Sequence, residues 1–253
     1  MGPVKNNFLY PREDYVQLLK DFYSDINGPR SIGPAKEWQS DIWSAGVFCS
    51  RGKVLEKAGL TRLHVVQGTI DEEPASITLF ETLAYPSNPK IPGFIIMTNM
   101  NEKKDGGKIL VFYTDLIIQD GKSHDDEKRL FSAAVKRICD KHGHSFDDYN
   151  RFLSGQGFLG GSAGECGLLN FFEEKDIPFL DDLIKELLPA FREILESRKN
   201  EKPGDEDYDS MNRSRARLIE WIILEDYGIK VSRENGILLE VIEAYAFPPN
   251  VRY

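Results

Sequence analysis

The sequence predicts one large domain of the α/β or α+β class. Its 253 residues fit a single hydrophobic core, and 41% of them are hydrophobic. Two apolar runs, 94–100 and 109–113, flank a polar, glycine-bearing turn at 101–107, which is the pattern of a β-hairpin. Apolar residues recur at helical spacing over 125–141 and 177–199. Strands and helices are therefore expected in the same domain.

The first part of the chain predicts a helix, a loop and two strands. Residues 10–26 have apolar side chains at helical spacing, and Gly28-Pro29 ends that helix. Residues 27–41 are rich in glycine, proline and polar groups and predict a loop. The apolar runs 60–66 and 77–84 predict strands, the second of which leads into a proline-rich corner.

The second part of the chain predicts a loop, a strand and two long helices. Gly143 suits the C-terminal cap of the helix at 125–141. Residues 153–165 form a glycine-rich loop whose spacing fits neither common nucleotide-binding motif. A strand is expected at 168–172, and Pro189 should kink the helix that follows. The acidic, polar stretch 200–212 predicts a mobile linker.

Composition narrows the class of partner. A net charge of −9 argues against nucleic acid, and no apolar run approaches the roughly 18 residues of a membrane span. No basic region followed by an apolar segment marks a secretory signal. The three cysteines (Cys49, Cys139 and Cys166) are too widely spaced for a disulfide framework or a zinc site. A metal site at His142 and His144 is not expected, because no further ligand lies nearby in sequence. A cytoplasmic protein without a metal is expected.

Asp115 is the first candidate functional residue. It ends the apolar run of the second hairpin strand, between Thr114 and Leu116, and the strand is expected to continue as far as Gln119. A carboxylate in such a position costs desolvation energy unless a partner compensates it. Asp115 is therefore expected either to be paired or to take part in chemistry.

Several short motifs resemble the oxygen-dependent coproporphyrinogen III oxidase family. That family has a proline-rich corner, a strand ending in Thr-Asp-Leu, a Gly-x-Val-Phe-Glu-Lys-Ala-Gly segment and a terminal Pro-Pro pair. The matching residues here are Pro86, Asn88, Pro89, Pro92, Thr114, Asp115, Leu116, 52–59 and Pro248-Pro249. The matches are short and scattered over 40–253.

Two further matches supply candidate side chains. In the family, an asparagine and a serine face the substrate from the strand that corresponds to 60–66. With Gly68 as the anchor of the register, these positions become Arg62 and His64, and the alternation of a strand puts both on one face. Arg215 and Arg217 match a family segment whose arginines help to bind substrate, and a strand is expected at 217–220.

The resemblance implies a fold, a reaction and an assembly. The fold would be a large flat antiparallel β-sheet sandwiched between helices, an α+β domain that spans 1–253. The reaction would be oxidative decarboxylation with O2 as co-substrate and with no metal or other cofactor. In it, an electron-rich pyrrole supplies the electrons and an aspartate hydrogen-bonds the pyrrole N–H groups. The terminal helix would contribute to a homodimer.

The sequence departs from the family where substrate should bind. The histidine that opens the corner is Tyr85, and the histidine, asparagine and arginine of the next strand align with Ile95, Met97 and Asn99. The same alignment places Tyr85, Asn88 and Asn99 near the substrate. Asn88 could equally fix the turn between prolines, which is the commoner role of such an asparagine.

The family's arginine-rich segment is also lost. Its arginines hold propionate carboxylates, whereas here only Gly164-Glu165 and Gly167 match the segment. Glu165 is the polar side chain expected at the substrate from this region. A pocket of this kind should not suit a substrate with four carboxylates.

The predicted function is an O2-dependent oxidase or oxygenase for a smaller aromatic carboxylic acid that bears an N–H group. Asp115 would hold the N–H or act as base. Arg217, with Arg62 or Arg215, would bind the carboxylate, and His64 would be the acid or base. An alternative stays open for each pair of side chains. Arg62 and His64 could instead line a solvated sheet face. Arg215 and Arg217 could instead form surface salt bridges with the acidic stretch 200–212.

Three other functions remain possible at this stage. One is coproporphyrinogen III oxidase itself, with a divergent site. Another is a non-catalytic protein that binds a tetrapyrrole or other aromatic ligand. The third is a ferredoxin-dependent bilin reductase, a group that has a similar sandwich and a central aspartate but fits the 52–59 segment and the Pro-Pro ending less well.

Overall fold

A computed structural model describes residues 13–70, 73–104, 106–156 and 163–250. Residues 10–12 of the predicted first helix and 157–162 of the predicted glycine-rich loop lie outside this part of the chain. The elements in chain order are α1 (Glu13–Asn27), β1 (Lys36–Gln39), β2 (Trp43–Ser50), β3 (Leu55–Ile70), β4 (Glu73–Pro86), β5 (Gly93–Lys103), β6 (Lys108–Ile117), α2 (Asp125–His142), α3 (Phe146–Ser154), β7 (Leu168–Phe172), a 3₁₀ turn (Glu174–Asp176), α4 (Ile177–Arg198), α5 (Asp205–Leu224), α6 (Tyr227–Glu234) and α7 (Leu239–Tyr245).

The strands form one seven-stranded sheet in the order β1 to β7. Every neighbouring pair is antiparallel. Helices pack on both sides of this sheet, which confirms the predicted α+β sandwich. In an antiparallel pair, residues directly opposite each other point to the same side of the sheet, so the register assigns each side chain to a face.

One side of the sheet, which we call face A, carries Leu60, Phe80, Phe94 and Phe112. It packs against α1, α2 and α4 in the larger hydrophobic core. The rings of Phe94 and Phe191 of α4 are stacked with centroids 4.3 Å apart. Burial of large apolar side chains is the main stabilising term for such a layer.

The other side, which we call face B, carries Leu63, Leu79, Ile95 and Asp115. Its hydrophobic cluster includes side chains from the three C-terminal helices, among them Leu218 of α5. The C-terminal helices therefore form the second outer layer of the sandwich.

The structure corrects the expected linker and the strand expected after it. Helix α5 begins at Asp205, so most of the 200–212 stretch is helical. Arg215 and Arg217, expected on a strand, lie on the same helix. Met211, Arg215, Leu218 and Ile222 are its buried residues. They recur at helical spacing, which the acidic composition around them concealed.

Three smaller differences concern the ends of elements. The predicted loop at 27–41 contains the short strand β1, and helix α3 takes Leu153 and Ser154 from the predicted 153–165 loop. The strand that holds Asp115 ends at Ile117 rather than at Gln119. Gly143 has φ 74° and caps α2, as predicted. Among the described helices, none is long and apolar enough to cross a membrane.

Candidate functional site

Among the described residues, helices cover face B over only part of its width. Helix α6 contacts β3, and α7 contacts β2 and β3. Farther along the sheet the side chains of face B are partly exposed, and Phe171 on β7 is 59% exposed. We call this region the open half of face B; its side chains are Ile95, Met97, Asn99, Val111, Tyr113, Leu169 and Phe171. A planar aromatic ligand could lie flat on such a surface.

Asp115 lies fully buried at one end of the open half. The register places it opposite Ile95. Its Oδ2 accepts a hydrogen bond from the Gly164 amide at 2.5 Å, and its Oδ1 accepts one from the Cys166 thiol at 2.8 Å. The acid is thus paired, as one of the two sequence-based alternatives required. A carboxyl group of this kind can accept several hydrogen bonds at once, because a carboxylate has about four lone-pair sites.

The chain that returns from α3 to β7 crosses β6 at very short range. A Cβ added to Gly167 would lie 1.8 Å from the Thr114 carbonyl oxygen, so only glycine fits there. Cys166 is buried beside Asp115, and the pKa of its thiol is raised well above the usual value by burial and then by the charge of Asp115. The thiol therefore stays protonated and remains a hydrogen-bond donor to the carboxylate.

Glu81 is a second acid on face B, and the sequence-based reasoning missed it. It lies on β4 opposite Met97 of β5 and Thr61 of β3. Burial, followed by the negative charge of Asp226, raises the pKa of Glu81 to about 8, against the lowering effect of a hydrogen bond with Tyr245. A carboxyl group with that pKa holds its proton at neutral pH.

The two acids lie at opposite corners of one surface. Ile95 is opposite both Asp115 on β6 and Leu83 on β4, and Glu81 is two residues from Leu83. With strands about 4.8 Å apart and a rise of about 3.4 Å per residue, their Cα atoms are about 12 Å apart. Met97 and Ile95 lie between them. The arrangement offers a hydrogen-bond acceptor, an apolar platform and a proton donor in sequence.

Arg62 and His64 lie on the other face of the sheet. Arg62 is opposite Phe80 and His64 is opposite Thr78, which places both on face A. His64 Nδ1 is 3.1 Å from Thr78 Oγ1, and burial lowers the pKa of its imidazole. The register thus corrects the expectation that these two residues share a site with Asp115, because the sheet separates them.

Arg215 and Tyr85 are both buried in a polar network. The five N–H groups of Arg215 donate to Gln119, Glu56, and the carbonyl oxygens of Pro86 and Pro249. Tyr85 is fully buried. A carboxylate ligand would have to displace one of these partners to reach Arg215, so the arrangement joins chain segments rather than presenting a cation.

Asn88 and Glu165 have local partners near the surface. Asn88 Nδ2 donates to the Glu201 carbonyl oxygen at 2.8 Å, and its Oδ1 accepts from the Lys90 amide at 3.1 Å. This is the turn-fixing arrangement that was left open as an alternative. Glu165 is exposed and forms an ion pair with Lys128 at 3.0 Å.

Asn99 belongs to the open half of face B, and Arg217 lies on the helix α5 beside the sheet. Asn99 lies on β5, and its Oδ1 is buried without a hydrogen-bond partner among the described residues. Arg217 is exposed on the same side of α5 as Ser214 and Trp221, three and four residues away. Ser214 bonds the carbonyl oxygen of Ile118 and Trp221 packs into the face B cluster, so this side of α5 borders the sheet.

A separate cavity of about 320 Å³ lies at the start of α2, where it is lined by Lys122, Ser123, His124, Asp125, Asp126 and Arg198. Its two cations are already paired, Lys122 with Asp207 and Arg198 with Glu127. Charges of both signs that pair with one another give no chemistry for a ligand, so we assign no function to this cavity.

Comparison with known proteins gives weak but consistent similarity. The chain is 26% identical over 270 residues to the oxygen-dependent coproporphyrinogen-III oxidase of Rickettsia bellii (strain RML369-C), covering 94% of this chain and 91% of that protein. It is 24% identical over 263 residues to the protein of the same name from Drosophila melanogaster, covering 85% of this chain and 64% of the other. No family model matches the sequence.

A solved structure shows the same fold. Phytochromobilin synthase from tomato, determined in complex with biliverdin, superposes with a TM-score of 0.55 over 94% of this chain and 86% of that chain, at 12% identity. At such low sequence identity, the similarity establishes only that the two proteins share a fold. The chain is thus similar in sequence to oxygen-dependent coproporphyrinogen-III oxidases and shares its sandwich fold with phytochromobilin synthase.

Proposed function

We propose that this protein is an oxidoreductase that oxidises a pyrrole-type aromatic acid with O2, on the open half of face B. The observation that carries the proposal is the pair Asp115 and Glu81 at the edges of this apolar surface, on either side of the partly exposed Ile95 and Met97. The oxygen-dependent oxidases to which the chain is similar over 94% of its length support the choice of O2 as oxidant.

The substrate would lie flat over Met97 and Ile95. Asp115 would accept a hydrogen bond from the ring N–H and so favour electron release from the ring. Arg217, at the border of this surface, would pair with a carboxylate of the substrate. One exposed arginine suits one or two carboxylates better than four, which is why a small pyrrole or indole acid is preferred over coproporphyrinogen III.

The electron balance gives Glu81 a role. When a propionate side chain becomes a vinyl group, the C–C bond to the carboxylate breaks, CO2 leaves, and the substrate loses two electrons and one proton. Dioxygen takes up the two electrons and two protons to form hydrogen peroxide. Because the substrate supplies one proton, a second must come from the protein or solvent. Glu81, with a pKa of about 8, holds such a proton near neutral pH.

A second function has one specific observation in its favour. The solved phytochromobilin synthase with the same fold was determined with biliverdin bound. A bilin reductase must deliver protons along with electrons from an external donor, and a protonated Glu81 would suit that reaction too. Such a reaction would consume no oxygen.

The test is oxygen uptake by the purified protein with coproporphyrinogen III and with pyrrole or indole carboxylic acids, with CO2 and peroxide measured together. We expect uptake with a small acid and one peroxide for each CO2. The reductase would replace the proposed oxidase if two results are obtained together. Biliverdin would change its spectrum under anaerobic conditions in the presence of a reduced one-electron donor, and none of the acids would give oxygen uptake. Tight binding of a chromophore without turnover in either assay would make the protein a ligand carrier.

A further inference from the structure

The last helix is fixed to the sheet through four backbone carbonyl groups around Tyr245. Lys57 Nζ donates to the carbonyl oxygens of Glu243 at 3.0 Å and Phe247 at 2.5 Å. The Cys49 thiol donates to the Ala244 carbonyl at 3.0 Å, and the Tyr85 hydroxyl donates to the Ala246 carbonyl at 2.5 Å. We call Lys57, Cys49 and Tyr85 the α7 clamp.

Gly59 brings the helix unusually close to the sheet. A Cβ at this position would lie 2.3 Å from the carbonyl oxygen of Tyr245, which is backbone and cannot turn aside. Gly59 and Lys57 both belong to the 52–59 segment, the most specific of the motifs noted in the sequence. The geometry thus explains two residues of that motif by how α7 docks, and not by contact with a ligand.

A lysine at position 57 is unexpected if its only role is to dock α7 on the sheet. Its side chain is buried, and burial lowers its pKa to about 8, with Cys49 and Glu243 opposing the effect and Arg51 and Lys36 adding to it. A buried ammonium group costs desolvation energy that a similar apolar side chain would not. At the C-terminal end of a helix, however, it meets the unsatisfied carbonyl groups and the negative pole of the helix. It therefore holds this helix end in one position.

Tyr245 is the residue that the clamp surrounds, and it packs in the hydrophobic cluster of face B. Its ring is buried, and its hydroxyl is hydrogen-bonded to Glu81. Two other ionisable groups interact with Glu81: Asp226, which lies between α5 and α6, and Tyr85, which also lies on β4. Any shift of α7 would move Tyr245 away from Glu81 and let water in beside the carboxyl group.

We infer that Lys57 is a positioning residue that holds Tyr245 over Glu81 and thereby limits the access of water to the Glu81 carboxyl group. The inference rests on the proposed function only for the use made of the Glu81 proton. The geometry of the clamp does not depend on which substrate binds.

The test measures the pKa of Glu81 directly, in the full chain without substrate. The protein is labelled with carbon-13 at the glutamate side-chain carboxyl groups, and their NMR signals are followed over a pH series. The Glu81 signal is assigned as the one that Glu81→Gln removes, and its titration gives the pKa. Lys57→Met keeps the aliphatic stem but removes the ammonium group. Because desolvation is the larger cause of the raised pKa, admitting water should lower the pKa of Glu81 by about one unit or more.

Tyr245→Phe should act in the opposite direction. It keeps the ring that excludes water and removes only the hydrogen bond, whose effect on Glu81 is to lower the pKa. The pKa of Glu81 should therefore rise. Lys53→Met, at an exposed position of the same motif, is the matched control and should leave it unchanged.

An unaltered Glu81 pKa in a folded Lys57→Met protein would overturn the inference, as would an equal shift in Lys53→Met. Should Lys57→Met fail to fold, Tyr85→Phe removes one clamp bond without removing a charge, and it must still lower the pKa of Glu81. The readout is independent of turnover, so failure of the proposed oxidase activity and failure of the clamp are separate results.

Discussion

Glu81 makes a prediction about stability that needs no substrate. In the folded protein burial raises its pKa from 4.5 to about 8. Between these two pH values the folded state holds a proton that the unfolded chain releases. Stability is therefore fully present below about pH 4.5, falls as the pH rises, and levels off above about pH 8.

The size of the effect follows from the shift. A difference of about 3.5 units at about 1.36 kcal/mol per unit sets a ceiling of about 5 kcal/mol. The side chain retains some contact with solvent, so about 2–4 kcal/mol is the expected loss. Glu81→Gln keeps the size of the side chain and removes the titration. Asp226 is present in both proteins, so the part of its titration that does not depend on Glu81 cancels in the comparison.

The assay is urea unfolding of both proteins at pH 5, 7 and 9, with stability obtained by linear extrapolation. Glu81→Gln should gain about 2–4 kcal/mol relative to the parent protein between the lowest and the highest pH. Glu73→Gln, an exposed residue of the same strand, is the control and should change by no more than about 0.5 kcal/mol. If the stability difference between Glu81→Gln and the parent is the same at all three pH values, the assignment of a protonated Glu81 is refuted.

Further predictions concern close packing and the two arginines of α5. Gly167→Ala should lower the free energy of unfolding by more than about 3 kcal/mol, because its Cβ would meet the Thr114 carbonyl oxygen. Gly155→Ala, at an ordinary helical φ of −71°, should leave the free energy of unfolding unchanged, and thermal unfolding distinguishes the two variants. Arg215→Met should cost about 3–5 kcal/mol by leaving its buried partners unpaired, and a soluble, fully stable variant would contradict this. Arg217→Gln should change stability by less than about 0.5 kcal/mol while raising the KM for a carboxylate substrate roughly tenfold, and an unchanged KM would remove Arg217 from the site.

The sequence predicted the sheet better than it predicted the C-terminal helices. The hairpin of β5 and β6 was visible because apolar runs flank a glycine-bearing turn, which is a local signal. Helix α5 was missed because its first turns are acidic and polar, and because the family motif suggested a strand there. Its buried face became evident only through contacts with face B, which are not local.

Whether the structure agreed with a candidate site residue depended on the kind of argument that identified it. Asp115 was identified by a physical argument, an acid in an apolar strand, and the structure gives it partners. The same argument applied to Glu81, within the apolar run 77–84, would have found the second acid. Arg62 and His64 were placed by resemblance to the family and by the alternation of side chains along one strand. The faces of two separate strands depend on their mutual register, which a single sequence does not determine.

The most direct test of the central claim compares the two faces of the sheet. Turnover of the best substrate is measured by oxygen uptake for Asp115→Asn, on face B, and for His64→Gln, on face A. The account predicts that Asp115→Asn lowers kcat/KM by about 100-fold or more while His64→Gln leaves it within about twofold. Full activity in Asp115→Asn together with loss of activity in His64→Gln would place the chemistry on the opposite face and contradict the account.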